Sequence, residues 1–379
     1  MVNTLTPLSL YIHFPWCIRK CPYCDFNSHE AKNGIAEIRY IDALITDLIH
    51  DLQWIAQTRP LVSIFMGGGT PSLFSADSID KLLTQIRLIM PLTTNCEITM
   101  EANPGTFDSV KFKEFRQTGI NRLSIGIQSF NNEHLQKLGR IHDAQQAIRA
   151  VELAKDAGFE NINLDLMFGL PQQTHAEVVS DVQTALDLQT QHLSFYQLTL
   201  EPNTYFHKFP PSLPEDDAIY QLQQAGQHLL NTNGFRQYEI SAYAQTDRQC
   251  QHNRNYWQFG DYLGIGAGAH GKLSLELPGK IVRTAKTKHP ELYMQQPIHH
   301  SVQAINPAQL PLEFLMNHLR LREGFSLQHY QRCTGLPISS LQPSLNNCIN
   351  AGLLEQHQQR ICCSERGWDF LDEILERFL

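Results

Sequence analysis

Nowhere in the 379 residues is there an uninterrupted apolar run of the roughly 20 residues that a membrane-spanning helix needs. Basic charge is also scarce: 30 Lys and Arg stand against 38 Asp and Glu, a formal net charge of −8. That balance excludes a protein that holds nucleic acid by neutralising its phosphates. The first residues lack the basic stretch and following apolar stretch of an export signal, so the cytoplasm is the expected compartment. Charged residues make up only 18% and hydrophobic ones 42%, which excludes a disordered chain and supplies a core. The nine cysteines, at 17, 21, 24, 96, 250, 333, 348, 362 and 363, cannot all pair. An odd count without an export signal argues against a disulfide framework and for thiols that stay reduced.

What the chain does have is alternation. Apolar, β-branched runs at 8–13, 61–66, 97–101, 122–127, 162–167 and 193–200 predict six strands with helices between them. Ile38, Ile41, Leu44, Ile45, Leu48, Ile49 and Leu52 recur at helical steps and predict one buried face. Strands alternating with helices form right-handed βαβ units and a parallel sheet. The turns that follow the strands carry the unusual residues: Trp16-Cys17, the Gly67-Gly68-Gly69-Thr70-Pro71 run, Asn103-Pro104-Gly105, Gln128-Ser129 and Gly169-Leu170-Pro171. Parallel α/β architectures bind ligands at the carboxyl ends of their strands, so the chemistry is expected along that rim.

Past residue 200 the pattern shifts: Pro202, Pro210, Pro211 and Pro214 come close together, before a helix expected near 215–233. The predicted organisation is a core at 1–205, a flanking segment at 206–305 and a C-terminal domain at 306–379. The last of these reads as helices at 311–321 and 339–351, a hairpin through 353–363 and a helix at 368–378, a winged-helix-like α+β appendage. Residues 310–379 hold six Arg, no Lys and eight acids, which argues against DNA as its ligand.

Cys17, Cys21 and Cys24 form a C-x3-C-x2-C run just after the first strand, so three thiolates can converge on one object. Structural zinc usually takes four ligands, and His13 and His29 are poorly spaced to supply the fourth. A cubane [4Fe–4S] cluster held by three thiolates keeps one iron open, and the spacing favours it.

With its flanking residues, from Tyr11-Ile-His-Phe-Pro-Trp-Cys17 through Cys24, this run resembles the radical S-adenosylmethionine (SAM) superfamily. Within that superfamily it resembles the oxygen-independent coproporphyrinogen dehydrogenase group, over nearly the whole chain. The resemblance implies a partial (βα)6 TIM-like barrel. It also implies a [4Fe–4S] cluster on Cys17, Cys21 and Cys24, with SAM chelated to the open iron. The implied SAM contacts are Tyr11, Tyr23, Gly68, Gly69, Thr70, Glu101, Gln128, Arg140 and Asp165. Glycines let a backbone approach a ligand closely, and Arg140 offers a carboxylate a two-pronged donor. Glu101, Gln128 and Asp165 are polar groups in apolar strands, where each needs a partner.

The group divides into an enzyme that decarboxylates coproporphyrinogen III and a branch of heme chaperones. The enzyme carries a further cysteine two residues after the third and an extension ahead of the first strand. Phe26 holds that cysteine position here, and the first strand is expected near residue 8. The segment Cys250-Gln-His252-Asn253-Arg-Asn-Tyr256-Trp257 matches the chaperones' H-N-x-x-Y-W motif and makes His252 the candidate axial ligand of heme. Cys250 is an alternative thiolate. The resemblance therefore implies heme trafficking to acceptor proteins, respiratory enzymes approached at the inner membrane among them, and is compatible with a homodimer. The alternative is the dehydrogenase, which leaves open whether the chain is an enzyme.

Other signals carry less. Gly266-Ala-Gly268-Ala-His-Gly271 has the dinucleotide spacing but precedes a strand-like run rather than a helix, so it reads as a loop near the cofactor, with His270 a weak candidate. His299-His300 reads as a solvated pair. Cys362 and Cys363 are adjacent in a strand and face opposite ways, which disfavours joint metal binding.

Overall fold

The computed structural model describes residues 6–32, 34–55, 59–106, 109–275 and 280–379. Six strands open the fold: β1 (Leu8–Phe14), β2 (Leu61–Gly68), β3 (Leu92–Ala102), β4 (Arg122–Gln128), β5 (Ile162–Phe168) and β6 (His192–Gln197). Each pairs with the next in parallel. The crossovers carry α1 (Glu37–Asp51), α2 (Ala76–Ile89), α3 (Ser109–Gln117), α4 (Ala144–Asp156) and α5 (His175–Asp187). Asp143 with Gln146, and Thr174 with Glu177, form reciprocal capping boxes that start α4 and α5.

Beyond α6 (Asp216–Thr232) come the strands β7 (Arg236–Glu239) and β8 (Ala242–Ala244); β8 pairs antiparallel with β6, and β7 pairs antiparallel with β8 at the sheet edge. The short helix α7 (Gln251–Trp257) precedes β9 (Asp261–Ile265), which lies parallel along the free side of β1. The sequence reading missed this seventh parallel strand, because a five-residue run holding both Asp and Gly gives no apolar signal. The strands β10 (His270–Ser274), β11 (Ile281–Lys286) and β12 (His300–Ala304) continue the sheet antiparallel. The sheet order is β12-β11-β10-β9-β1-β2-β3-β4-β5-β6-β8-β7.

Alternation along the strands separates two environments. In β1, Leu8, Leu10, Ile12 and Phe14 are fully buried in the same core as Ile41, Leu44 and Leu48 of α1. Ser9, Tyr11 and His13 face the barrel interior, where Ser9 bonds Ser63 and Tyr11 stacks with Phe65. The buried face of α1 is rotated from the expected one: Ile38 and Ile49 are exposed, whereas Asp47 and Asp51 are buried.

A second core joins the C-terminal residues around Phe314, Phe325, Tyr330 and Leu353. The expected hairpin is present as β14 (Leu354–His357) and β15 (Arg360–Cys363), with β13 (Phe325–Ser326) added on the β15 side. The helix expected at 339–351 is a 3₁₀ turn, Ile338–Leu341, and then a helix, Ser344–Asn350, separated at Pro343. The final helix is two short ones, Glu365–Asp369 and Leu371–Glu376, and Leu327–Thr334 was not foreseen although Ser326 caps its start and Gly335 its end.

Candidate functional site

β1 ends at Phe14, and the chain turns over the barrel rim into the cysteine loop. Trp16 and Cys17 pair in parallel with His29 and Glu30, and Cys24 N–H donates to Cys21 O at 3.1 Å, which folds the loop back on itself. Cys17, Cys21 and Cys24 are free thiols, each partly buried. Each sulfur meets a different neighbour. Thr70 Oγ1 donates to Cys17 Sγ at 3.6 Å, Arg140 donates to Cys21 Sγ at 3.6 Å, and Ser28 Oγ lies 3.7 Å from Cys24 Sγ. Burial pushes the Cys17 and Cys24 thiols up; at Cys17 the Thr70 bond opposes this and the other two thiols add to it. A bound cation would reverse that preference by holding thiolates.

The glycine run at the end of β2 is strapped to this loop. Gly69 N–H donates to Phe14 O and Thr70 N–H to Trp16 O, both at 2.7 Å. A Cβ on Gly69 would lie 2.6 Å from Phe14 O and 2.5 Å from Trp16 O, so only glycine permits the approach. Gly68 has φ +104° and donates its N–H to Glu101 Oε2 at 3.0 Å.

Glu101 ends β3 in the mouth of the barrel. Burial, reinforced by Asp165, pushes its carboxyl up to about 8 against the Gly68 bond, so it is largely protonated at neutral pH. Asp165 on β5 accepts from Asn163 Nδ2 at 2.8 Å and Ser124 Oγ at 3.2 Å, yet burial still raises its carboxyl. Gln128 sits at the β4 bulge with φ +72°, which turns its side chain to the rim, where Tyr196 Oη donates to Oε1 at 2.7 Å. Arg140 donates to Gly126 O at 2.7 Å as well as to Cys21, and its buried Nε has no partner among the described residues. Burial acts to lower the Arg140 pKa, but Tyr23 and Cys21 outweigh it and the guanidinium is held charged. Tyr23 lies under the loop against Phe206. Tyr11 is one layer down, with its hydroxyl 3.0 Å from His13 Nδ1.

Thr70 and Arg140 therefore touch the cysteines directly and Gly69 straps to their loop, while Glu101 joins them through Gly68, Gln128 and Asp165 lie on the neighbouring strands, Tyr23 sits in the loop and Tyr11 is just beneath. Sequence reasoning weighed His13 only as a zinc ligand and missed Asn27 and Tyr196. His13 Nε2 bonds Asn27 O at 2.9 Å, and Asn27 Nδ2 donates at 2.8 Å to Ala267 O and to Lys288 O. The glycine loop 266–271 thus backs the cysteine loop. The alternation Ser9, Tyr11, His13 inside an apolar strand was the available signal.

His252 lies below this group and reaches it through Tyr11, whose ring centroid is 6.3 Å from the imidazole. It lies on α7, which closes the amino-terminal end of the barrel, opposite the cysteines. Glu97 Oε1 accepts the backbone N–H of Gln251 at 2.9 Å and of His252 at 3.2 Å, and Asn255 Nδ2 donates to Ser9 Oγ at 2.9 Å. The His252 ring is 8% exposed, 3.1 Å from Ser63 Oγ through Nδ1, and 5.0 Å from the Phe65 centroid. Burial, then Arg122, lowers its pKa to about 3, so the imidazole is neutral. Trp257 carries the Arg320 guanidinium 4.4 Å above its ring, and Tyr256 packs against Trp257 and Tyr262. Cys250 is buried, with its thiol 3.5 Å from Glu97 Oε1 and pushed up to about 12 by burial.

Comparison with known proteins is consistent with this geometry. A family model described as the radical SAM superfamily matches residues 11–185, and one described as the HemN C-terminal domain matches 305–370. The chain is 49% identical over 378 residues to the heme chaperone HemW of Haemophilus influenzae, covering 99% of this chain and 98% of that protein. It is 47% identical over 375 residues to the heme chaperone HemW of Escherichia coli, covering 99% of each. The solved structure of the E. coli coproporphyrinogen III oxidase HemN, a radical SAM enzyme, superposes with a TM-score of 0.82 at 22% identity, covering 99% of this chain and 90% of that one. At that identity the likeness establishes a shared fold.

Proposed function

Because the chain belongs to the radical SAM superfamily and, within it, to the HemW family, we propose that it binds a [4Fe–4S] cluster and SAM at the cysteine rim and carries heme to acceptor proteins. The observation that carries the reading is the meeting of three unpaired thiols with Gly69, Glu101 and Arg140 at the carboxyl end of one barrel.

The residues fit the groups. Cys17, Cys21 and Cys24 are three donors, and the next position in the run that could add a fourth is Phe26, which is 56% exposed. The buried, unpartnered Nε of Arg140 is the orphan donor that an anionic group would satisfy. Gly68 and Gly69 carry no Cβ, which would strike the His13 ring at Gly68 and the Phe14 and Trp16 carbonyls at Gly69, so the run can pack directly against the cysteine loop. When bound, the cluster supplies one electron at a time and an open iron for the amino and carboxylate groups of SAM. The chain's own residues hold and orient: Arg140 takes a carboxylate, the Gly67–Gly69 backbone takes an ammonium, and protonated Glu101 presents a hydroxyl proton to a ligand oxygen.

His252 is the residue this reading assigns to heme. Its neutral ring suits iron, but reaching it requires α7 to leave the barrel end, with loss of the Glu97, Ser63 and Ser9 bonds described above. Acceptors at membranes also belong to the proposal; among the described residues no helix is long and apolar enough to cross a membrane. The test is to incubate anaerobically reconstituted, reduced protein with SAM and coproporphyrinogen III. The chaperone reading predicts no protoporphyrinogen, and turnover would overturn it.

A further inference from the structure

A second constellation lies on the outer wall of the barrel, where α1 ends. His50 and Asp51 are the last residues of α1, and His300 opens β12, some 250 residues later in the chain. Their ligand atoms, two imidazole nitrogens and a carboxylate oxygen, all lie within 4.8 Å of one another. The two imidazole rings meet edge to face with centroids 5.3 Å apart, and Trp54 closes over His300 at 6.3 Å. Asp51 is buried, and the two histidines are half-buried.

Three features suit a cation here. His300 Nδ1 lies 2.9 Å from Ile298 O; a carbonyl only accepts, so Nδ1 carries the hydrogen and Nε2 keeps its lone pair. Orientation of one ring nitrogen by a backbone carbonyl is the usual arrangement of a metal-binding histidine. The second feature is charge. Asp47 and Asp51 share Lys286 at 2.5 and 2.7 Å, and all three side chains are at most 1% exposed. Asp47 also accepts from Tyr293 Oη at 2.7 Å and Gly266 N–H at 3.2 Å, so two buried carboxyl groups share one ammonium and Asp51 is the one that faces His50, at 3.7 Å. The third is the helix end: the final carbonyls of α1 add partial negative charge beside His50.

We propose that His50, Asp51 and His300 form a site for a divalent transition metal of the zinc class, which clamps the carboxyl end of α1 to the edge strand β12. Two imidazoles and a carboxylate are a common borderline-soft ligand set, and a fourth position stays open to water or a small anion. Ligand atoms around a tetrahedral zinc are about 3.3 Å apart, so the side chains close by roughly 1.5 Å at most through rotation. Lys286 stays in place, because each Asp51 oxygen has a second lone pair. The sequence reading put His299 and His300 in solvent together; His299 is exposed, whereas His300 is turned to Trp54 and His50.

The test is zinc titration of the full-length, anaerobically reconstituted protein by calorimetry, with thermal unfolding with and without zinc. Wild type and His299→Ala should each bind one zinc that His50→Ala and His300→Ala bind at least about tenfold more weakly, and zinc should raise the unfolding midpoint only in the first two. Only zinc lost on changing His50 or His300 counts, so uptake by Cys17, Cys21 and Cys24 does not enter. His50→Gln and His300→Gln, compared in chelator, decide the matter if an alanine variant misfolds. Equal zinc binding in all variants, or none in wild type, would overturn the site.

Discussion

Gly69→Ala puts the account of the rim under direct strain. The added Cβ would sit 2.5 Å from Trp16 O and 2.6 Å from Phe14 O, both backbone atoms that cannot rotate away. Relief requires the Gly67–Pro71 run to lift off the cysteine loop, which breaks the two 2.7 Å bonds from Gly69 and Thr70. Each such bond is worth about 0.5–1.5 kcal/mol net, and a buried group left unpaired costs about 1–3 kcal/mol. Two bonds and one buried group left unpaired sum to about 2–6 kcal/mol, read as a fall of several degrees in the thermal midpoint of the reduced, metal-free protein. Thr70 also leaves Cys17, so iron bound per chain after anaerobic reconstitution should drop with the midpoint. Gly67→Ala is the control: its Cβ would meet the ends of the Glu101 and Phe65 side chains at 2.9 Å, which can turn, and the loss should be smaller. If Gly69→Ala costs less than Gly67→Ala and takes up a full complement of iron, the strap between the glycine run and the cysteine loop has no role.

Three further expectations follow from the same geometry. The Glu101 carboxyl is raised to about 8, so its contribution to stability is complete below about pH 4.5 and is lost as the pH climbs through 8; Glu101→Gln cannot ionise, and its midpoint should gain on wild type steadily from pH 5 to pH 8, whereas a constant difference would refute the shift. Arg140→Lys keeps the charge but not the fork that reaches Gly126 O and Cys21 Sγ together, so equilibrium dialysis should find iron content intact and SAM binding about tenfold weaker or worse. His252→Ala removes the assigned imidazole; loss of the imidazole-ligated Soret band on heme addition is expected, and an unchanged band and affinity would take His252 out of the heme site.

Most of the rim was legible because the chemistry there is local. Three cysteines within eight residues, a glycine run after a strand and a carboxylate at a strand end are patterns that sequence preserves. What stayed hidden depends on contacts between distant segments. Nothing near Asn27 announces that it ties His13 to Ala267 and Lys288, since the two partners lie 240 and 261 residues away and bond through backbone carbonyls. The place of His252 was equally closed to inspection: the motif names a histidine beside two aromatic residues, but Ser9, Ser63 and Glu97, which fix it at the barrel floor, come from three separate strands. The orientation of α1 failed for a different physical reason. Its apolar periodicity pointed to Ile38 and Ile49, whereas Lys286 on β11 makes the burial of Asp47 and Asp51 affordable, and that pairing is invisible until the strand is in place.

Whether the chain carries heme is decided by titrating heme into the anaerobically reconstituted protein and following absorbance. A heme carrier should show a saturable Soret shift at one heme per chain, reproduced with SAM present. Absorbance that rises linearly as that of free heme, with no saturation, would contradict the account.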